Sequence, residues 1–116
     1  NAPEIHLADL SIETEEVRFG SSLSFSAALK STAMRSQDLI IDYVLHFRKA
    51  NGKLAPKVFK WTKATLDPGT VHRLSRFHPI RPITTRTYYG GTQAVSLRIN
   101  GQDFGYQEFD LQMPDG

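Results

Sequence analysis

Arg73, Arg76, Arg81 and Arg86 fall within residues 73–91, a run that also holds His78, Pro79 and Pro82 and contains no aspartate or glutamate. A guanidinium is a permanently charged planar fork of N–H donors that matches phosphate oxygens, so arginines gathered without a neighbouring acid describe a segment able to hold an anion. Thr84 and Thr85 add hydroxyl donors, and His78 adds an imidazole. Such groups act only if the chain holds them still. The prolines in His78-Pro79 and Arg81-Pro82 fix φ and push the residue before each out of the helical region, so an extended, stiff connection is expected here. Ile80 and Ile83 then anchor it and leave Arg81 and Arg86 outside. A stiff loop loses less entropy on meeting an anion. The plainer alternative is that the prolines and isoleucines cap one end of a β-sandwich and the arginines are solvated surface.

The flanking chain reads as strands. Apolar residues alternate through residues 5–12, with a slip of phase near Asp9, and again through residues 23–29 and 39–48. Further strands are expected over residues 57–63, 70–75, 94–100 and 104–113. Asn51-Gly52 and Asn100-Gly101 mark hairpins, and Asp67-Pro68-Gly69 marks a turn. About seven short strands without helical periodicity describe an all-β fold, an immunoglobulin-like antiparallel β-sandwich. Its expected arrangement sets the first, second, fifth and fourth strands against the third, sixth and seventh, with Tyr88 or Tyr89 as a tyrosine corner. In such an order alternate connections emerge at one end. Lys49, Lys53 and Lys57 then converge with Arg76, His78, Arg81 and Arg86 on one positive rim, with Glu13, Glu15 and Glu16 on a third loop beside it. Arg81 and Arg86 are the expected principal phosphate contacts.

Other chemistries have no carrier. No serine sits in a Gly-x-Ser-x-Gly elbow, the Asn-Gly and Gly-Gly pairs precede no helix, and no catalytic residue or cofactor is expected. His72 and His78 flank the end of one strand and point to different faces, so no metal site is expected either. Trp61, between Lys60 and Lys63, is suited to stacking on a nucleic-acid base, but packing over a sheet with snorkelling lysines is the commoner use of that arrangement. His46 reads as a cross-strand surface residue.

The sequence Thr70-Val71-His72-Arg73-Leu74-Ser75-Arg76-Phe77-His78-Pro79-Ile80-Arg81-Pro82-Ile83-Thr84-Thr85-Arg86-Thr87-Tyr88-Tyr89 runs on into Gly90-Gly91-Thr92-Gln93-Ala94-Val95-Ser96-Leu97-Arg98-Ile99-Asn100-Gly101. It resembles the carboxy-terminal part of bacterial DNA alkylation repair proteins of the AlkC kind. That resemblance implies an immunoglobulin-like domain that helps to hold DNA, joined to an N-terminal catalytic domain of HEAT-like repeats acting as a DNA glycosylase. The family pattern has Tyr-Pro-Gly after the basic loop and a histidine shortly beyond, where this chain has Tyr89-Gly90-Gly91 and Gln93. Taken with the local charge, the resemblance implies a non-catalytic DNA-binding accessory domain whose partner is the phosphate backbone of DNA, contacted through Arg76, His78, Arg81, Thr84, Thr85, Arg86, Lys53 and Lys57. The alternatives are a protein- or carbohydrate-recognition module of an exported multidomain protein, and a purely structural domain bracing a catalytic neighbour.

Composition bounds these readings. The 116 residues suit a single domain, and Asn1-Ala2 reads as the remainder of a cleaved tag, which makes the chain an excision from a longer protein. No apolar run is long enough to cross a membrane as a helix. The absence of cysteine fits a reducing cytoplasm, and a monomer is expected. The net charge is only +2, yet residues 57–86 hold seven Lys and Arg against Asp67, a local +6 that leaves −4 on the remainder. Local basicity on a mildly acidic domain is the footprint of a polyanion contact.

Overall fold

The structure, a computed structural model, describes residues 2–115; Asn1 and Gly116 lie outside the described residues. Period-two alternation of apolar and polar side chains produces eight strands. They are β1 (Ile5–Ile12), β2 (Glu16–Arg18), β3 (Ser22–Ser31), β4 (Gln37–Arg48), β5 (Leu54–Leu66), β6 (Val71–Pro79), β7 (Gly91–Ile99) and β8 (Gln102–Gln112). A three-stranded sheet, β1-β3-β6, packs on a five-stranded sheet, β2-β8-β7-β4-β5. All pairings are antiparallel except β2 with β8. The expected immunoglobulin-like sandwich is therefore present, with one strand more than the pattern predicted.

Leu23, Phe25 and Leu29 of β3 close on Leu39, Ile41, Tyr43 and Leu45 of β4, Leu97 and Ile99 of β7, and Leu111 of β8, all essentially inaccessible. Burying each such side chain stabilises the fold by roughly 1.5–3 kcal/mol. The slip of phase near Asp9 is a β-bulge between Leu7 and Asp9.

Three elements differ from expectation. The strand over residues 57–63, expected in one sheet with the first, second and fifth strands, belongs to the other: β5 pairs with β4 from Gln37↔Leu66 to Arg48↔Leu54. The reason is local. The tight turn at Asn51-Gly52, closed by Lys49 N–H donating to the Lys53 carbonyl at 2.8 Å, leaves no slack for the chain to cross between sheets. β2 is a new strand of three residues, held because Val17 fills the core beside Leu111 and runs parallel to β8. β6 continues through Arg76, Phe77 and His78 to Pro79, residues expected in the loop. A proline is tolerated there because β6 is an edge strand and Pro79 ends it.

Candidate nucleic-acid interface

The inward positions near the end of β4 are Tyr43 and Phe47, both buried. Phe59 of β5, paired with Tyr43 in register, stacks on it with ring centroids 5.3 Å apart. His78 of β6 meets Phe59 at 4.6 Å and Tyr43 at 5.6 Å, both edge to face. Tyr88, in the loop after β6, closes the row between Phe47 at 5.7 Å and Phe19 at 5.3 Å. Alternation along β4, β5 and β6 thus places an aromatic floor where the edge strands of the two sheets face each other.

Cations fringe that floor. The Arg86 guanidinium lies 4.0 Å from the Phe47 ring centroid, that of Arg76 5.6 Å from Tyr43, and the Lys57 ammonium 5.9 Å from Phe59. Arg76 and Lys57 are on the inward side of their strands, but both strands are sheet edges, so the charged heads reach solvent while the stems lie on aromatic surface. Among the described residues the ion pair is Arg98 with Asp103, at 2.8 Å on another part of the surface. Among the described residues none of the fringing cations is paired with a carboxylate.

His78 lies among them as a neutral ring. Burial, then the positive charges of Arg76 and Arg86, lower its pKa from the ordinary 6.5 to about 4. Its Nδ1 is 2.7 Å from the Tyr43 hydroxyl. At neutral pH His78 braces the floor and carries no charge.

The loop beyond β6 is held at two points. Ile80 is fully buried; its N–H donates to the Ser21 carbonyl at 2.8 Å and its carbonyl accepts from Gly20 N–H at 2.6 Å. Arg86 and Tyr88, on Phe47, fix the other end. Ile83, expected as a second anchor, is instead half exposed and opens a tight turn closed by Arg86 N–H to the Ile83 carbonyl at 3.4 Å. An isoleucine can bury here only if the loop folds inward, and Ile80 already fills that position. Thr84 and Thr85 form the exposed tip, and Arg81 is exposed beside it. Exposed Lys49 and Lys53 stand on the β4–β5 hairpin at the same end. The acidic loop before β3 has other contacts: Ser24 Oγ donates to Glu13 at 2.7 Å, and the Glu15 carbonyl accepts from Asp110 N–H at 2.7 Å.

The sequence named the cations but missed their floor. Tyr43 and Phe47, four residues apart on one strand face ahead of an Asn-Gly hairpin, were the available signal. Trp61, skipped in the β4–β5 register, turns inward against Phe25 at 5.3 Å and Tyr43 at 5.7 Å and packs over the sheet. His46 bonds Ser96 at 2.8 Å and lies against Tyr106 on the outer face of the larger sheet. Tyr88 packs against Phe19 and Phe47, and among the described residues its hydroxyl makes no tyrosine-corner bond. Among the described residues no three His, Cys, Asp or Glu side chains are grouped to hold a metal.

The Tyr89-Gly90-Gly91 turn is tight at both glycines. Gly91 has φ +115°, which favours glycine, and at 90 a Cβ would lie 3.2 Å from the Leu111 carbonyl oxygen. Gln93 is buried; its amide donates to the Tyr89 carbonyl at 2.8 Å and accepts from Arg48 N–H at 3.3 Å. That side chain ties the end of the basic loop to the end of β4.

Sandwich, edge-to-edge aromatic floor and unpaired cations define an immunoglobulin-like module with one positive end. Over residues 6–113 it matches the family described as the C-terminal Ig-like domain of uncharacterised protein YhaZ, and the chain belongs to that family. It is 34% identical over 102 residues to YhaZ of Bacillus subtilis strain 168, covering 88% of this chain and 28% of that protein. It superposes with a TM-score of 0.93 and 32% identity on the Pseudomonas fluorescens alkylpurine DNA glycosylase AlkC bound to DNA containing an abasic site analogue, covering 97% of this chain and 31% of that one. The resemblance seen in the basic loop thus extends over the whole domain. The chain is the Ig-like, accessory and non-enzymatic portion of such proteins and spans about a third of their length. A β-glucosidase of Erythrobacter marinus shares the fold alone, at TM-score 0.77 and 13% identity over 93% of this chain and 15% of that one.

Proposed function

We propose that this chain holds the phosphate backbone of DNA for a catalytic domain of the same polypeptide, an N-terminal HEAT-like-repeat glycosylase domain acting on alkylated bases in the cytoplasm. The observation that carries the reading is the set of cations without carboxylate partners at one end of the sandwich, Arg76 and Arg86 on their aromatic floor with Lys57, and Arg81, Lys49 and Lys53 beside them. That AlkC was solved with DNA supports the choice of polyanion. Arg81 and Arg86 bind phosphate oxygens, Thr84 and Thr85 donate hydroxyl hydrogen bonds from the loop tip, and His78 orders the floor beneath them. Such contacts position DNA and do not read its sequence.

The test is a titration of the isolated chain, as a monomer, with a short duplex, followed by amide chemical shifts. Residues 49–57 and 76–90 are expected to shift, while the opposite end, around Arg35, Asp67 and Asn100, stays still. Shifts confined to that opposite end would reject the proposal.

A further inference from the structure

Arg76, His78 and Arg86 border the aromatic floor and differ from the exposed loop tip. The Arg76 guanidinium lies 5.6 Å from the Tyr43 ring centroid and that of Arg86 4.0 Å from Phe47, and the imidazole of His78 is held by Phe59 at 4.6 Å and by the Tyr43 hydroxyl at 2.7 Å. Hydrogen bonding occupies Nδ1, and among the described residues Nε2 has no partner. The groups facing this ring are Arg76 on its own strand, Arg86 from the following loop, Tyr43 from β4, and Phe59 from β5 with Lys57 beyond it; none is an acid. The charges of both guanidiniums act on the imidazole and disfavour its protonation, and an anion among them offsets that repulsion. A guanidinium resting on a ring, as that of Arg86 does, also loses less freedom when the anion arrives.

We infer that Arg76, His78 and Arg86, with Lys57 on the β5 side, form a site for one phosphate group, and that the His78 imidazole gains a proton as the phosphate binds. The protonated ring donates from both nitrogens, one to Tyr43 and one to the phosphate, so it becomes a third charged donor. The proton comes from solvent, and no bond in the phosphate is made or broken. The inference rests on the DNA reading for its natural source of phosphate, but the site is defined by chemistry that free phosphate shares. Linkage gives the sign. Because the bound phosphate raises the pKa of His78 above about 4, affinity is greatest below that value and declines as pH rises through the higher pKa of the complex.

The experiment follows the imidazole proton resonances of His78 against pH in the isolated chain, with His6 and His72 as internal references. It is run without ligand, with inorganic phosphate, and with a short DNA duplex, for wild type, Arg76→Gln, Arg86→Gln and Lys30→Ala. In wild type and Lys30→Ala the His78 midpoint is expected to rise by about one unit or more with either ligand, a tenfold linkage between proton and phosphate. In Arg76→Gln and Arg86→Gln the free midpoint rises, because a repelling charge is gone, and the ligand-dependent increment shrinks. A midpoint that responds to inorganic phosphate but not to DNA keeps the site and removes the DNA reading. Duplex that binds while His78 stays fixed in both ligand arms keeps the DNA reading and overturns the site. A midpoint unmoved by either ligand also overturns it.

Discussion

The guanidinium of Arg86 lies over the face of Phe47, 4.0 Å from the ring centroid, and joins the loop after β6 to the last buried ring of β4. One contact thus fixes both the loop and its charge. Replacing Arg86 by Ala is expected to lower stability by about 0.5–1 kcal/mol through the lost cation–ring contact. Arg81, exposed, should change stability by less than about 0.5 kcal/mol when replaced by Ala. Urea unfolding of the two variants checks this, and equal midpoints would show that Arg86 does not hold the loop.

His78 makes the fold sensitive to acid. Its folded pKa of about 4 lies below the ordinary 6.5, so between those values the unfolded chain takes up a proton that the folded chain refuses. Stability from this group is therefore full above about pH 6.5, falls as pH drops towards 4, and levels off below. Thermal melts of wild type and His78→Gln across that window are expected to differ in slope, with the variant flatter. Parallel curves would contradict the buried neutral imidazole.

Tyr43→Phe removes the hydroxyl at His78 Nδ1 and keeps the ring stacked on Phe59. A loss of about 0.5–1.5 kcal/mol is expected, the ordinary contribution of one hydrogen bond. Denaturant unfolding measures it, and a neutral effect would show that the bond does not brace the floor.

Gln93→Ala should cost more, about 1–3 kcal/mol, because it strands the Arg48 N–H and the Tyr89 carbonyl away from partners. Gln93→His, which restores the residue of the family pattern, should recover part of that loss. Denaturant midpoints for the pair decide the matter, and a Gln93→Ala midpoint equal to wild type would dismiss the tie.

The strands and their inward faces were legible in the sequence because alternation records burial directly: Leu23, Phe25 and Leu29, or Leu39, Ile41, Tyr43 and Leu45, need no partner to be named. Which sheet each strand joins is not written in alternation, and β5 was misplaced although the Asn51-Gly52 hairpin that decides it was in view. β2 escaped because three residues with one buried valine carry no period. At the candidate interface charge was legible and geometry was not. Arg76, Arg81 and Arg86 stood out by type, whereas the aromatic floor joins β4, β5, β6 and a loop that lie far apart in the chain. Ile80 and Ile83 look alike in sequence, and only the packed fold separates the anchor from the exposed turn residue.

The central claim, that the positive end of the sandwich holds DNA by its phosphates, is tested most directly by the dependence of duplex binding on salt. Each phosphate neutralised contributes about one unit to the slope of log affinity against log salt. Arg81→Ala and Arg86→Ala, made in the intact protein, are each expected to flatten that slope by about one unit whatever the DNA sequence. Lys30→Ala, which removes an exposed lysine far from the rim beside the His6 and Val71 backbone, should leave the slope at its wild-type value. Four coincident slopes would contradict the account and leave the arginine loop as a cap on the sandwich.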